Sequence, residues 1–330
     1  MSPQQDDLSL RRTEAGDIDD WPETRAVPRS FFKSPLCNDL DELNADIAFL
    51  GVPYDQGTYA RPGARYGPNG IRDADRIYEY MDKWEDKEGL GYFDIDAGGV
   101  LLKGVTMADC GDVTILPSDV EKNFAKLTKA VRRILDRGAF PVVIGGDHSI
   151  TFPLVRGFDR YESLDVVHFD AHIDFSHELQ GTFYHHGCPI RRCFDLPNVR
   201  NITSLGIRMA REEVYADAMK KGVKVITTEQ FRRMGPEATI EQVPQGENIY
   251  LTVDVDVMDP VQIPGTGTPA PGGLYYFEMR DALIALAKRG RIVGVDFVEV
   301  APPYDHAEIT TRFAAKLIID LLSVLFPSKA

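Results

Sequence analysis

Three groups of acids and imidazoles stand out by their spacing. Asp170-x-His172-x-Asp174 places two carboxylates around a histidine at alternate positions. In extended chain, residues i, i+2 and i+4 point the same way, so the three side chains are expected to converge. Asp254-x-Asp256 repeats the spacing, and His148 follows Gly145-Gly146-Asp147. Clustered carboxylates repel one another and resist burial unless a cation compensates them. Four aspartates with two histidines form a ligand set for two divalent ions, with carboxylates bridging. Mixed oxygen and nitrogen ligation suits manganese and is compatible with nickel, cobalt or zinc. Each piece alone has a plainer reading: a structural hydrogen bond for His148, a helix cap or a calcium ligand for Asp254-x-Asp256. Their joint placement carries the argument.

That placement depends on the elements before them. Seven short apolar runs read as strands buried on both faces: 46–52, 139–144, 164–169, 199–206, 223–227, 248–253 and 291–298. Between them lie helical patterns. Ser118-x-x-Glu121 matches a capping box, Phe124, Leu127, Val131, Ile134 and Leu135 recur at helical spacing, and Gly138 sits where a C-terminal cap belongs. Residues 311–326 predict a closing helix. Strands alternating with helices imply an α/β fold with a parallel sheet, whose ligands bind beyond the carboxyl ends of the strands. His148, Asp170–Asp174, Asp254–Asp256 and Glu299 each follow a predicted strand, so four strands deliver them to one sheet edge. Residues 1–30, polar and proline-bearing, read as a weakly ordered arm. No linker follows residue 45, which makes 31–330 a single domain. The aromatic and acidic segment 78–96 reads as a solvated loop or a lid over the pocket.

The 330 residues are 43% hydrophobic and 27% charged, with net charge −14. That charge argues against nucleic acid or an anionic membrane as partner, since both are polyanions. No apolar run approaches the roughly 18–20 residues of a membrane helix. The first 30 residues lack the apolar core of a secretory signal. Cys37, Cys110, Cys188 and Cys193 form no CxxC pair, so a reducing cytoplasm is the expected setting.

Several motifs together resemble the arginase/agmatinase (ureohydrolase) family. They are GGDHS (145–149), DAHID (170–174), VDVDVMDP (253–260), PGTGTPAPGGL (264–274), GVDFVEVAPPYD (294–305) and GVPYDQGTYARPGARYGPNGIR (51–72). Tyr184-His185-His186-Gly187-Cys188-Pro189 followed by Arg191-Arg192 resembles the agmatinase-like branch. The resemblance implies the arginase-type three-layer αβα sandwich around an eight-stranded parallel sheet. It implies one metal on His148, Asp170, Asp174 and Asp254 and another on Asp170, His172, Asp254 and Asp256. Mn2+ is the expected ion and Ni2+ the alternative. It also implies Glu299 facing the guanidinium of a small cationic guanidino substrate. His186, beside His185, would serve the substrate or the proton transfer, and Asp174 would carry a proton to the leaving nitrogen. Ala270 and Phe175-Ser176 depart from the family's usual residues, but no metal position is missing.

The expected activity is hydrolysis of a guanidino compound to urea and an amine, with agmatine as default substrate. Guanidinobutyrate, guanidinopropionate, free guanidine, alkylguanidines and biguanides of the metformin type stay open, because the motifs specify the guanidine head and not the tail. A one-metal zinc deacetylase is disfavoured by the second aspartate pair and Glu299. A catalytically silent partner subunit is disfavoured by the intact ligands. The resemblance further implies a homo-oligomer, trimer or hexamer, with a hetero-oligomer containing a paralogous subunit as the alternative.

Overall fold

Segments with apolar side chains on both faces need cover on both sides, and the chain supplies it. The computed structural model describes residues 24–25, 27, 29–74 and 91–329. Its strands are β1 Thr24–Arg25, β2 Ile47–Gly51, β3 Tyr92–Asp94, β4 Gly99–Leu101, β5 Met107–Val113, β6 Phe140–Ile144, β7 Leu164–Phe169, β8 Val199–Ile207, β9 Lys224–Thr227, β10 Ile249–Asp254 and β11 Ile292–Val298. The main sheet runs β1-β5-β2-β6-β11-β10-β7-β8-β9. Its eight strands from β5 to β9 are mutually parallel, and β1 adds a two-residue antiparallel edge. β3 and β4 form a separate hairpin.

Helices cover both faces, as parallel strands require. They are α1 Gly67–Ala74, α2 Val120–Asp136, α3 Thr151–Arg156, α4 Pro189–Phe194, α5 Glu212–Lys220, α6 Thr228–Met234, α7 Pro236–Ile240, α8 Tyr276–Arg289 and α9 Ile309–Leu325. Strand alternation divides the core in two. Val142, Ile144, Val167 and Phe169 pack with Ile71 of α1, Leu283 of α8 and Ile318 of α9. Val143 and Val166 face the other way, toward Leu127 of α2, Leu154 of α3 and Ile190 of α4. Each such fully buried aliphatic side chain contributes about 1.5–3 kcal/mol. The result is the three-layer sandwich around eight parallel strands. No helix among the described residues is long and apolar enough to cross a membrane.

All seven strands expected from the apolar runs are present. The eighth, β5, carries Asp109 and Asp112, so it does not read as an apolar run. Its acids are buried against Arg72 of α1. The helical pattern at 118–138 is α2, but its cap differs from expectation. Asp119, not Ser118, is the N-cap and accepts from the Lys122 N–H. Ser118 has φ +58°, which takes it out of the extended conformation a capping residue needs. Residues 1–23 of the expected arm and 78–90 of the expected loop or lid lie outside the described residues. Within the arm, Thr24–Arg25 pairs with β5. Within the loop, Tyr92 and Asp94 of β3 sit against Lys316 of α9.

Register sets up the site. Ile144, Phe297, Val253 and Phe169 lie in one row across β6, β11, β10 and β7. The chain leaves the sheet just beyond that row, at the middle of the sheet. Gly146 is required there, because an added Cβ would collide with the Tyr54 carbonyl.

Candidate metal centre

Each of those four strands ends in a residue that could do chemistry. β6 runs into a 3-10 turn, His148–Ile150, capped by Asp147, whose carboxylate accepts from the Ser149 N–H at 3.0 Å. β7 leads to Asp170, His172 and Asp174. Asp254 is the last residue of β10, and Asp256 lies in the 3-10 turn Val255–Val257. Glu299 follows β11.

The predicted ligands do come together. His148 Nδ1 lies 3.1 Å from Asp170 Oδ2, 3.1 Å from Asp174 Oδ2 and 3.3 Å from Asp254 Oδ2. His172 Nδ1 lies 3.4 Å from Asp170 Oδ1 and 3.1 Å from Asp256 Oδ2. Asp170 thus offers one oxygen to each imidazole. The convergence does not arise from strand alternation, as the spacing suggested. β7 stops at Phe169, Asp174 has φ +44°, and Asp254 and Asp256 are joined by a 3-10 turn rather than a strand. A tight turn brings alternate side chains together as well as a pleat does.

The chemistry of this donor set fits divalent cations. His148 is fully buried, and its Nδ1 makes no hydrogen bond of acceptable geometry despite the three carboxylates around it. Asp170, Asp254 and Asp256 are at most 2% exposed. Burial, and then the charges of Asp256 and Asp170, hold the Asp254 carboxyl well above the usual range. Burial also opposes charge on His148 and His172, but the surrounding carboxylates outweigh it and raise both. Two overlapping groups, His148–His168–Asp170 and Asp170–His172–Asp256, each bring their ligand atoms within 4.8 Å of one another. They share Asp170, as a binuclear centre requires.

His168 was not singled out in the sequence. It lies inside β7 with Nε2 2.8 Å from Asp170 Oδ2 and Nδ1 3.0 Å from Ser204 Oγ. Both nitrogens are engaged, so it orients Asp170 rather than offering a free ligand. Thr252 and Asp296 were also missed. They form a buried polar chain behind His148, with His148 Nε2 3.1 Å from Thr252 Oγ1. The available signal was a polar residue in the middle of an apolar run, which needs a buried partner.

Glu299 is 2% exposed and has φ +63°. Its Oε1 accepts from the His148 N–H at 3.0 Å and lies 2.9 Å from His186 Nδ1. Burial disfavours charge on His186, but Glu299 raises its pKa to about 9. His185 goes the other way, down to about 4, by burial and the charge of His186. Its Nδ1 accepts from the Gly187 N–H. A cavity of about 370 Å³ opens onto this edge, and Tyr59, Asp174, His186, Met209, Arg211 and Thr268 are on its walls.

A paired His/Asp centre beyond the middle strands of a three-layer α/β sandwich is an arrangement that could hold two divalent ions for hydrolytic chemistry. The sequence matches the Arginase family over residues 45–323, and the chain belongs to that family. It is 31% identical over 280 residues to an agmatinase of Bacillus anthracis, covering 84% of this chain and 91% of the agmatinase. It is 33% identical over 324 residues to a guanidinopropionase of Pseudomonas aeruginosa, covering 95% and 96%. The solved structure of proclavaminate amidino hydrolase from Streptomyces clavuligerus superposes with a TM-score of 0.76 at 31% identity, covering 94% of this chain and 100% of that one.

Proposed function

We propose that this protein hydrolyses a guanidino compound to urea and an amine at a binuclear centre, as an agmatinase-like ureohydrolase. The observation that carries the reading is the shared Asp170, with Oδ2 toward His148 and Oδ1 toward His172. One ion would be held by His148, Asp170, Asp174 and Asp254, the other by Asp170, His172, Asp254 and Asp256. Asp254 Oδ1 accepts from the Asp256 N–H at 2.9 Å, and its Oδ2, beside His148, would be available to an ion. Oxygen-rich ligation favours Mn2+, with Ni2+ as the alternative. Such ions supply Lewis acidity and a water that is nucleophilic at neutral pH.

The chain's own residues do the rest. Glu299 Oε1 is engaged by His148 and His186, so Oε2 is the oxygen that faces the guanidinium. A carboxylate so placed holds the planar cation by charge-assisted hydrogen bonds. Asp174 uses Oδ2 toward His148 and keeps Oδ1 to carry a proton to the leaving nitrogen. His186, on the cavity wall, holds a proton on Nδ1 against Glu299 and assists that transfer.

A second reading of the substrate has its own support. Arg211 lies on the cavity wall, where the carboxylates among the described residues are Asp174 and Asp254. Its ion pair among those residues, with Glu213 at 3.5 Å, is exposed and weak. An agmatine ammonium would meet a like charge there, whereas the carboxylate of guanidinobutyrate or guanidinopropionate would meet an opposite one. Family membership supports a symmetric trimer or hexamer, which light scattering tests. The shared sheet from Ile47 to Val298 supports one domain over 31–330.

The deciding experiment loads the protein with Mn2+ or Ni2+ and measures urea from agmatine, guanidinobutyrate, guanidinopropionate, guanidine and a biguanide. Urea from at least one, with two ions per chain, is expected. A protein that holds two ions and releases urea from none of them overturns the proposal.

A further inference from the structure

Behind His148, on the side away from the carboxylates, lies a buried group of hydroxyls. Asp296 sits inside β11 and is fully buried. Its Oδ2 accepts from Tyr250 Oη at 2.6 Å and from Thr151 Oγ1 at 3.0 Å, and its Oδ1 accepts from Thr252 Oγ1 at 2.6 Å. Three hydroxyls from β10 and α3 therefore point their protons at one carboxylate. A threonine hydroxyl has a single proton to give. Thr252 spends that proton on Asp296, yet its oxygen also lies 3.1 Å from His148 Nε2. Toward His148 it can act only as an acceptor.

We infer that Asp296 and Thr252 are positioning residues that keep the His148 proton on Nε2 and so present the Nδ1 lone pair to a metal ion. The inference rests on the proposed binuclear reading, in which His148 is a ligand. The opposite tautomer sets the Nε2 lone pair against the lone pair of Thr252. It also places a proton on Nδ1, the nitrogen that faces Asp170, Asp174 and Asp254 and must keep its lone pair free to serve a metal ion there. With His148 fully buried, bulk water offers Nε2 no substitute partner. The tautomer of a ligating histidine is set by the bond its other nitrogen makes, and here that bond is traced back through two side chains to one carboxylate. His172 has no part in this chain. Its Nδ1 faces Asp170 and Asp256, so the effect belongs to one metal position.

The test measures Mn2+ stoichiometry and dissociation constants by chelator competition on the full chain, with the melting temperature of metal-free protein as a check on the fold. Thr252→Val removes the acceptor at nearly constant volume. It is expected to weaken one of the two Mn2+ sites about 10–100-fold, the range for outer partners of ligating histidines, and to leave the other near wild type. Thr252→Ser restores the hydroxyl and should restore the affinity. Asp296→Asn can donate to Thr252 and release its proton toward His148, so it should weaken the same site. His148→Ala identifies that site by removing it. Wild-type affinity at both sites in Thr252→Val, with one site lost in His148→Ala, overturns the relay and leaves the metal reading standing. Equal weakening of both sites, or failure of Thr252→Ser to rescue, also overturns it. Fewer than two ions in the wild type overturns the underlying reading as well.

Discussion

Two regions of this molecule bury aspartates, and they treat the charge in opposite ways. Under α1, Arg72 donates to Asp109 at 2.9 Å and to Asp112 at 2.6 Å, with all three side chains at most 1% exposed. Asp109 also accepts from the Phe31 and Gly111 N–H groups, and the guanidinium stacks 4.0 Å over the Phe31 ring. Folding completes this cluster. At the sheet edge, Asp170, Asp174, Asp254 and Asp256 gather without any ion pair to lysine or arginine among the described residues. Their partners are imidazoles and backbone or hydroxyl donors. Folding leaves that cluster short of positive charge, and two divalent ions match four carboxylates. A buried acid with its cation built in holds the fold together. A buried acid without one marks the place where something binds.

Substitutions at the two places should therefore behave oppositely. Asp254→Asn keeps the Oδ1 that accepts from Asp256 N–H and loses the charge on Oδ2. Turnover should fall by at least the roughly 10–100-fold typical of changes one shell further out, and the melting increment from added Mn2+ should shrink. The metal-free protein should be no less stable than wild type, because a repelled carboxylate is gone. Near-normal turnover in this variant would reject a bridging role. Arg72→Met leaves Asp109 and Asp112 buried without a cation. It should cost about 3–5 kcal/mol of unfolding free energy, equally with and without metal, as urea titration reads. A loss seen only in the metal-free protein would erase the contrast.

Glu299 lies between the two cases. It is buried like Asp109, but its partners among the described residues are His186 and one N–H. Glu299→Gln should keep both metals and the fold, with some loss of stability near pH 7 because the contact with His186 is weakened. It should lower kcat/KM by the equivalent of about 2–4 kcal/mol, the range for one preorganised charged contact. Loss of the metals, or an unchanged kcat/KM, would refute its assigned role. The smallest effect concerns pH. The pKa of His186 is raised in the fold to about 9 from about 6.5 when unfolded. Its contribution is complete below the unfolded value and disappears as pH rises through 9, amounting to no more than about 3 kcal/mol. The stability gap between wild type and Glu299→Gln should therefore narrow between pH 7 and pH 10. A gap that widens would show that His186 does not carry the charge.

The sequence made the middle of the sheet legible and its edge less so. β6, β7, β10 and β11 are apolar on both faces, because each lies between two other strands and two helical layers. β5 stayed hidden because Asp109 and Asp112 interrupt its apolar pattern, and only the fold shows that Arg72, far along the chain, pairs with both. The gathering of the candidate ligands was legible because their types and places after strands agreed. The partners that orient them were not. His168, Thr252 and Asp296 sit within strands, where a single polar residue gives no hint of which neighbour it serves. The misplaced cap at Ser118 has a similar cause. Ser118 and Asp119 both suit the position, and backbone geometry decides between them.

The left-handed backbone at Asp174 and Glu299 bears on any effort to make this protein hardier. Glycine adopts that conformation freely, aspartate and asparagine occasionally, and glutamate seldom. Sites of this kind hold strain for the sake of geometry. A library sorted only for survival on heating is drawn toward glycine at these two positions, most strongly at Glu299. The hardiest members of such a library would be those that had given up two carboxylates of the candidate site.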